Sequence, residues 1–220
     1  MVIGLTGIFG SGKSAVLRFF RRRGASTISA DSLVHVLLRQ ENVKQKITAG
    51  FGPGILNKGK IDRPALAKIV FRNNAKRKIL ERILHPLVKA RIKKKIESRE
   101  NPPQSPYLDG RGPAFCKGGR RGIRKKLVVV EVPLLFESGF TDLFDYTICV
   151  SAPAGTIRER MQKKGFSEAE IEQRWAIQWR LSEKEKKSDS VIDNSGSLFN
   201  TKKQVDIILE VAKGRTRCQR

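Results

Sequence analysis

Apolar and polar positions along this 220-residue chain repeat with two periods, near 2 and near 3.6, and the changes between them mark out strands and helices. Val2-Ile3-Gly4-Leu5 is a short apolar run that reads as a strand. An amphipathic stretch beginning at Ser14 then carries Ala15, Val16, Phe19 and Phe20 to about Arg23. Ser26-Thr27-Ile28-Ser29 predicts a second strand, ending in Ala30-Asp31 before an apolar-periodic stretch through Val34, Leu37 and Leu38. Phe51-Gly52-Pro53-Gly54 is a turn or loop. Asp62-Arg63-Pro64 predicts a helix start with Asp62 as cap, and a long helix follows in which Ile79, Leu80, Ile83, Leu84, Leu87, Val88, Ile92 and Ile96 recur at helical spacing. Leu127 to Val132 is the β-branched run of a buried parallel strand, and Tyr146 to Val150 is another. Ser167 to Trp179 predicts a polar helix opened by Ser167 with Glu168 and Glu170 behind it. Val191-Ile192 is a last short strand, and Val205, Ile208, Leu209 and Ala212 mark a closing helix.

Strands alternating with helices argue for a parallel sheet covered by helices on both faces, with ligands at the carboxyl ends of the strands. The turn after the first strand names the ligand class. Gly7-Ile8-Phe9-Gly10-Ser11-Gly12-Lys13-Ser14 is a complete G-x-x-x-x-G-K-[ST] phosphate loop between a strand and a helix. Its glycines let consecutive N–H groups turn inward around phosphate oxygens, Lys13 reaches the β- and γ-phosphates, and Ser14 holds Mg²⁺. Gly7, Ile8, Phe9, Gly10, Ser11, Gly12, Lys13, Ser14 and Ala15 are therefore read as the set that binds a nucleoside triphosphate. Asp31 and the segment from Pro133 to Glu137 fall at the same edge of the sheet. The expected fold is α/β, a P-loop NTPase-type parallel sheet of about five strands flanked by helices on both faces.

Residues 98 to 126 break the pattern, with Pro102-Pro103, Pro106 and, from Arg111 to Lys126, seven Lys or Arg and no acidic residue. They read as a basic insertion loop at 99–126 within a single folding unit spanning 1–220. Cys116, Cys149 and Cys218 are odd in number and far apart, which suggests neither a disulfide framework nor a zinc site. Val2 to Leu5 is too short for a signal peptide or membrane span, so the expectation is a soluble, cytoplasmic protein without a membrane partner. The net charge of +24, from 45 Lys and Arg against 21 Asp and Glu, attracts any polyanion, whether nucleic acid or a substrate bearing several phosphates.

Several segments together resemble the dephospho-coenzyme A kinase family. They are Gly4-Leu5-Thr6-Gly7 with the phosphate loop, Ala30-Asp31, Gly59-Lys60-Ile61-Asp62-Arg63 through Ile69-Val70-Phe71, Leu84-His85-Pro86, Val132-Pro133-Leu134-Leu135-Phe136-Glu137, and Val191-Ile192-Asp193-Asn194-Ser195-Gly196. The resemblance implies ATP-dependent phosphorylation of the ribose 3′-hydroxyl of dephospho-CoA, the last step of coenzyme A synthesis, with MgATP and dephospho-CoA as the small-molecule partners. It implies that Asp31 accepts or orients the proton of that hydroxyl, against the alternative that Asp31 only caps the helix that follows. Thr6, Asp31, His85 and Glu137 become substrate-binding candidates, although Glu137 reads equally as a structural contact. Asn194 is implied near the adenine of ATP. The resemblance also implies a helical substrate-binding region, the acceptor-binding residues 31–98, and a helical lid at 154–185 that excludes water. The family draws a lid arginine toward the transferring phosphate. The matching place holds Lys163, a departure that transfers the role either to that lysine or to Arg158, Arg160, Arg174 or Arg180. Trp175 and Trp179, four apart, read as packing on one helix face. Two other readings stand beside this one. A kinase for another nucleoside or nucleotide would keep Lys13, Ser14 and Asp31, and a nucleic-acid-binding NTPase would use the 111–126 loop and the tail from Lys213 to Arg217 as anchors. Charge alone predicts only non-specific, salt-sensitive retention on nucleic acid.

Overall fold

Strand β1 (Val2–Thr6) is buried along its whole length, as a strand covered on both faces must be. The computed structural model describes residues 1–100 and 127–217, so the expected insertion lies, from residue 101 on, outside the described residues. Helix α1 (Lys13–Arg22) leaves the phosphate loop and buries Val16, Leu17 and Phe20. Strand β2 (Ser26–Ser29) comes next, then α2 (Ala30–Leu37) and α3 (Glu41–Phe51). A hairpin of β3 (Leu56–Asn57) and β4 (Lys60–Ile61) turns through Lys58 and Gly59, at φ of 48° and 74°. Positive φ at both turn positions is what a two-residue hairpin asks for, and Gly59 supplies one of them without strain.

The Asp62 cap is as expected, its carboxylate accepting the Ala65 N–H at 3.0 Å. The expected long helix through Ile79 to Ile96 forms too, but as an element separate from the one that Asp62 caps. Asn73 takes an extended conformation and its Oδ1 caps Lys76 N at 3.0 Å, dividing α4 (Arg63–Arg72) from α5 (Asn74–Glu100). Helix α5 runs through Pro86 and past residue 98, where the sequence pattern predicts a break. Strands β5 (Val128–Glu131) and β6 (Tyr146–Ser151) succeed it. Helices α6 (Ala154–Gln162), α7 (Glu168–Trp175) and α8 (Leu181–Lys187) lead to β7 (Ser190–Asp193) and the closing α9 (Leu198–Arg217). Helix α7 opens with the expected Ser167/Glu170 capping box but ends at Trp175. Trp175 and Trp179 therefore do not share a helix face: Trp179 lies beyond the helix, stacked on Phe136 at 5.9 Å.

Strands β1, β2, β5, β6 and β7 form one parallel sheet in the order β2-β5-β1-β6-β7, the five-stranded α/β fold expected. Alternate residues feed two cores even though both faces are covered. Val128 and Val130 join Leu33, Leu84, Val88 and Ile92 on one side, while Ile3, Leu5 and Val129 join Val16, Phe20 and Ile208 on the other. A third cluster joins Ile8 of the phosphate loop to Ile157 and Met161 of α6 and Ile171 of α7. Strand register decides where a ligand can sit. Ser29, Glu131 and Leu5 lie side by side, so β2, β5 and β1 end flush and release Asp31, Pro133 and Gly7 at one edge. Among the described residues no helix is long and apolar enough to cross a membrane.

Candidate active site

Gly7, Gly10 and Gly12 have φ of 142°, 86° and 96°. A Cβ on Gly7 would lie 2.5 Å from Val150 O, and one on Gly12 would lie 2.0 Å from Asn194 Nδ2. Both conformation and space therefore demand glycine at Gly7 and Gly12, in a loop that runs directly into the start of α1.

Lys13 folds back across this loop and donates to Gly7 O at 3.0 Å and Ile8 O at 2.9 Å. It is buried, and burial brings its ammonium down to about pKa 8, an effect that the nearby Glu131 opposes. Glu131, at the end of β5, is also buried, and burial raises its carboxyl above the usual range against the pull of Lys13. Ser14 Oγ donates to Glu131 Oε1 at 3.3 Å. Two hard oxygen groups thus meet beside the phosphate loop.

Asp31 is exposed in the first turn of α2 and lines the same cleft as Lys13, Ser14 and Glu131. It is not the helix cap: Ser29 is, its Oγ accepting the Ser32 N–H at 3.5 Å. The capping alternative thus belongs to Ser29, and the Asp31 carboxylate faces the cleft, which has a volume of about 680 Å³. His85 is on its wall, with Nε2 3.4 Å from Ser138 Oγ and its ring edge-on to Phe140. Burial lowers the pKa of His85, which favours the neutral imidazole.

The other residues singled out in the sequence fall elsewhere. Thr6 is buried and donates to Pro133 O at 3.2 Å, bracing β1 against the segment after β5. Glu137 Oε1 accepts from the buried Lys184 Nζ at 2.8 Å and from Trp179 N at 2.8 Å, which is the structural side of its two readings. Asn194 Nδ2 donates to Ser11 O at 2.8 Å while its Oδ1 accepts from Thr201 at 2.9 Å, tying the loop to α9. None of the three lines the cleft. Lys163 is exposed at the end of α6 and also lies off the cleft wall, which Lys164 lines instead.

Of the four candidate arginines, Arg158 is paired with Glu168 and Glu172, and Arg160 donates to Asn194 O and Ser195 O. Arg180 is exposed at the start of α8. Only Arg174 among these four lines the cleft. Sequence reasoning missed Glu131, and its signal was a single carboxylate closing the apolar run Val128-Val129-Val130. It also missed Gln178, which accepts the Phe9 N–H of the phosphate loop at 2.8 Å, and for which no local pattern exists.

Comparison with known proteins agrees with this geometry. A family model described as dephospho-CoA kinase matches residues 1–106 and 120–200. The dephospho-CoA kinase of Geobacillus kaustophilus is 38% identical over 96% of both chains, and that of Aquifex aeolicus is 37% identical over 94% of this chain and 95% of its own. A solved dephospho-CoA kinase from Campylobacter jejuni superimposes with a TM-score of 0.63 at 28% identity, covering 97% of this chain and 98% of its own. A crystal structure from Thermus thermophilus reaches 0.73 at 29% identity over 96% of both. With a family model spanning most of the sequence and full-length relatives well above 30% identity, the chain belongs to the dephospho-CoA kinase family.

Proposed function

We propose that this protein transfers the γ-phosphoryl group of ATP to the ribose 3′-hydroxyl of dephospho-CoA, giving CoA and ADP, through the residues gathered at the flush ends of β1, β2 and β5. The observation that carries this reading is the register that brings Asp31, Glu131 and the phosphate loop to one cleft. Phosphoryl transfer asks a protein chiefly to align nucleophile and γ-phosphate and to neutralise charge. The glycine loop supplies N–H groups for the β-phosphate, and Lys13 exchanges its Gly7 and Ile8 carbonyl partners for phosphate oxygens. Asp31, free of capping duty, accepts or orients the hydroxyl proton. His85 and the apolar wall around it hold the acceptor.

Mg²⁺ fits the donor set present: Ser14 Oγ and the Glu131 carboxylate are hard oxygen groups already in contact, and phosphates and water complete such a shell. When bound, the ion neutralises charge on the β- and γ-phosphates. Among the described residues no group of three or more His, Cys, Asp or Glu forms a metal cage, in keeping with an ion held largely by the nucleotide. We assign the phosphate-contacting role of the lid to Arg174 rather than Lys163, because it is the lid arginine on the cleft wall. The segment 154–185 acts as a lid over ATP, 31–98 as the acceptor region, and the setting is cytoplasmic.

A coupled assay with MgATP tests the reading: ADP must appear only when dephospho-CoA is present, and the product must carry a new 3′-phosphate. Faster phosphorylation of adenosine or a nucleoside monophosphate at equal concentration overturns the acceptor assignment.

A further inference from the structure

Arg174 is held by rings rather than by carboxylates. Its guanidinium carbon lies 4.8 Å from the centre of the Phe9 ring, 5.0 Å from Phe71 and 5.2 Å from Phe166. The three rings come from three parts of the molecule: Phe9 from the phosphate loop, Phe71 from the last turn of α4, and Phe166 from the turn before α7. Among the described residues no carboxylate stands within ion-pair distance of Arg174, although Glu170 is near enough to feel its charge. Its Nε is buried without a hydrogen-bond partner. Aromatic faces attract a guanidinium through their quadrupoles but take none of the N–H groups on its edge. A cation fixed this way has its direction set by apolar neighbours and its donors left for an anion in the cleft.

Two of the rings belong to one fixed unit. Phe9 donates its N–H to Gln178 Oε1 at 2.8 Å, accepts from Trp175 Nε1 at 3.0 Å and meets Phe166 edge-on at 5.2 Å. Phosphate loop and lid are thus clasped together around Phe9. Phe71 is the ring that comes from the acceptor side, on a helix whose start is fixed by the Asp62 cap.

We propose that Phe71 is a positioning residue for phosphoryl transfer: with Phe9 and Phe166 it aims the Arg174 guanidinium at the transferring group, and through α4 it makes that aim depend on the acceptor region. This rests on the reading of Arg174 as the phosphate-contacting lid residue. Phe71 touches no reacting atom itself. What it contributes is a flat π face, so a side chain of similar bulk without that face fails in its role, and one that keeps the face succeeds.

Steady-state kinetics on the full chain, with Phe71→Leu, Phe71→Tyr, Arg174→Met and the Phe71→Leu/Arg174→Met pair, tests this. Loss of one cation–π face predicts that Phe71→Leu lowers kcat roughly three- to thirty-fold, with KM for ATP little changed. Phe71→Tyr is expected to keep kcat near that of the unaltered protein. In the Arg174→Met background Phe71→Leu should cost nothing more, since the group it aims is gone. A Phe71→Leu penalty of equal size in both backgrounds, or a Tyr variant as poor as the Leu variant, overturns the proposal while leaving Arg174 its role. An Arg174→Met protein with undiminished kcat overturns the Arg174 assignment and the Phe71 proposal with it.

Discussion

Burial and function act in opposite directions on Lys13, and the opposition is measurable. The loop carbonyls of Gly7 and Ile8 hold its ammonium in a buried place where the cation is costly, which brings its pKa down to about 8. Phosphate oxygens favour the charged form, so ATP binds the protonated lysine better and raises its pKa in the complex. ATP affinity is therefore full below about pH 8 and falls as pH rises through that value, by up to about tenfold per pH unit until the pKa of the complex is reached. Calorimetric titration of ATP between pH 6.5 and 9.5 reads this directly. Lys13→Met should bind weakly and without a step near pH 8, and the same step in that variant would assign it to another group. Asp31 carries the complementary prediction. Because Ser29 and not Asp31 caps α2, Asp31→Asn should leave the helix and ATP affinity intact while lowering kcat by about 10²- to 10⁴-fold. An Asn variant with normal turnover would take Asp31 out of the chemistry.

Helix α8 shows how an element is fixed by buried charge. Lys184 is fully buried, with Glu137 Oε1 at 2.8 Å and Pro133 O at 2.7 Å, and the next residue, Glu185, accepts from Ser151 Oγ at the end of β6. A buried cation stripped of its carboxylate costs several kcal/mol. Glu137→Gln, which keeps the shape and removes the charge, should cost about 2 to 4 kcal/mol, a fall in Tm of roughly 5 to 15 °C. KM for dephospho-CoA should stay nearly unchanged. A raised KM at unchanged Tm would instead put Glu137 against the acceptor. The same element explains what sequence can and cannot show. The Leu-Leu-Phe-Glu segment is legible as a pattern, but whether Glu137 meets substrate or Lys184 depends on a helix nearly fifty residues later. The phosphate loop is legible because its requirement is local, positive φ at Gly7, Gly10 and Gly12. The sheet strands are legible because a fully covered strand must be a continuous apolar run, as Val128-Val129-Val130 is. Illegible were the break at Asn73, where one polar residue outweighs a continuing helical period, and the hairpin of β3 and β4, too short for any periodicity. Arg174 could not be separated from Arg158, Arg160 and Arg180, because its distinction is the convergence of rings from positions 9, 71 and 166.

The whole molecule adds a field that no single residue accounts for. With 45 basic residues against 21 acidic ones, the chain carries +24, well above the magnitude of about 2 to 8 usual for a small domain. ATP and dephospho-CoA are both polyanions, and a positive field around a cleft raises their encounter rate by about 10- to 10³-fold in low salt. Salt weakens such a field over a Debye length of about 10 Å at 0.1 M but leaves close contacts inside the cleft much less altered. Steering therefore predicts a split: kcat/KM for each substrate should fall by about tenfold or more between 0.02 and 0.5 M KCl, while kcat at saturation holds nearly constant. Potassium glutamate in place of the chloride should give the same curve at equal ionic strength, which separates screening from competition by chloride in the anion site. The field does not discriminate among polyanions, so single-stranded RNA should inhibit at the lowest salt, competitively, and release by about 0.2 M. If kcat/KM stays flat across this range, substrate capture does not use the excess charge. If RNA instead accelerates ATP turnover at physiological salt, the charge serves a polymer partner, since a field acting only on small substrates could be competed for by RNA but not enhanced by it.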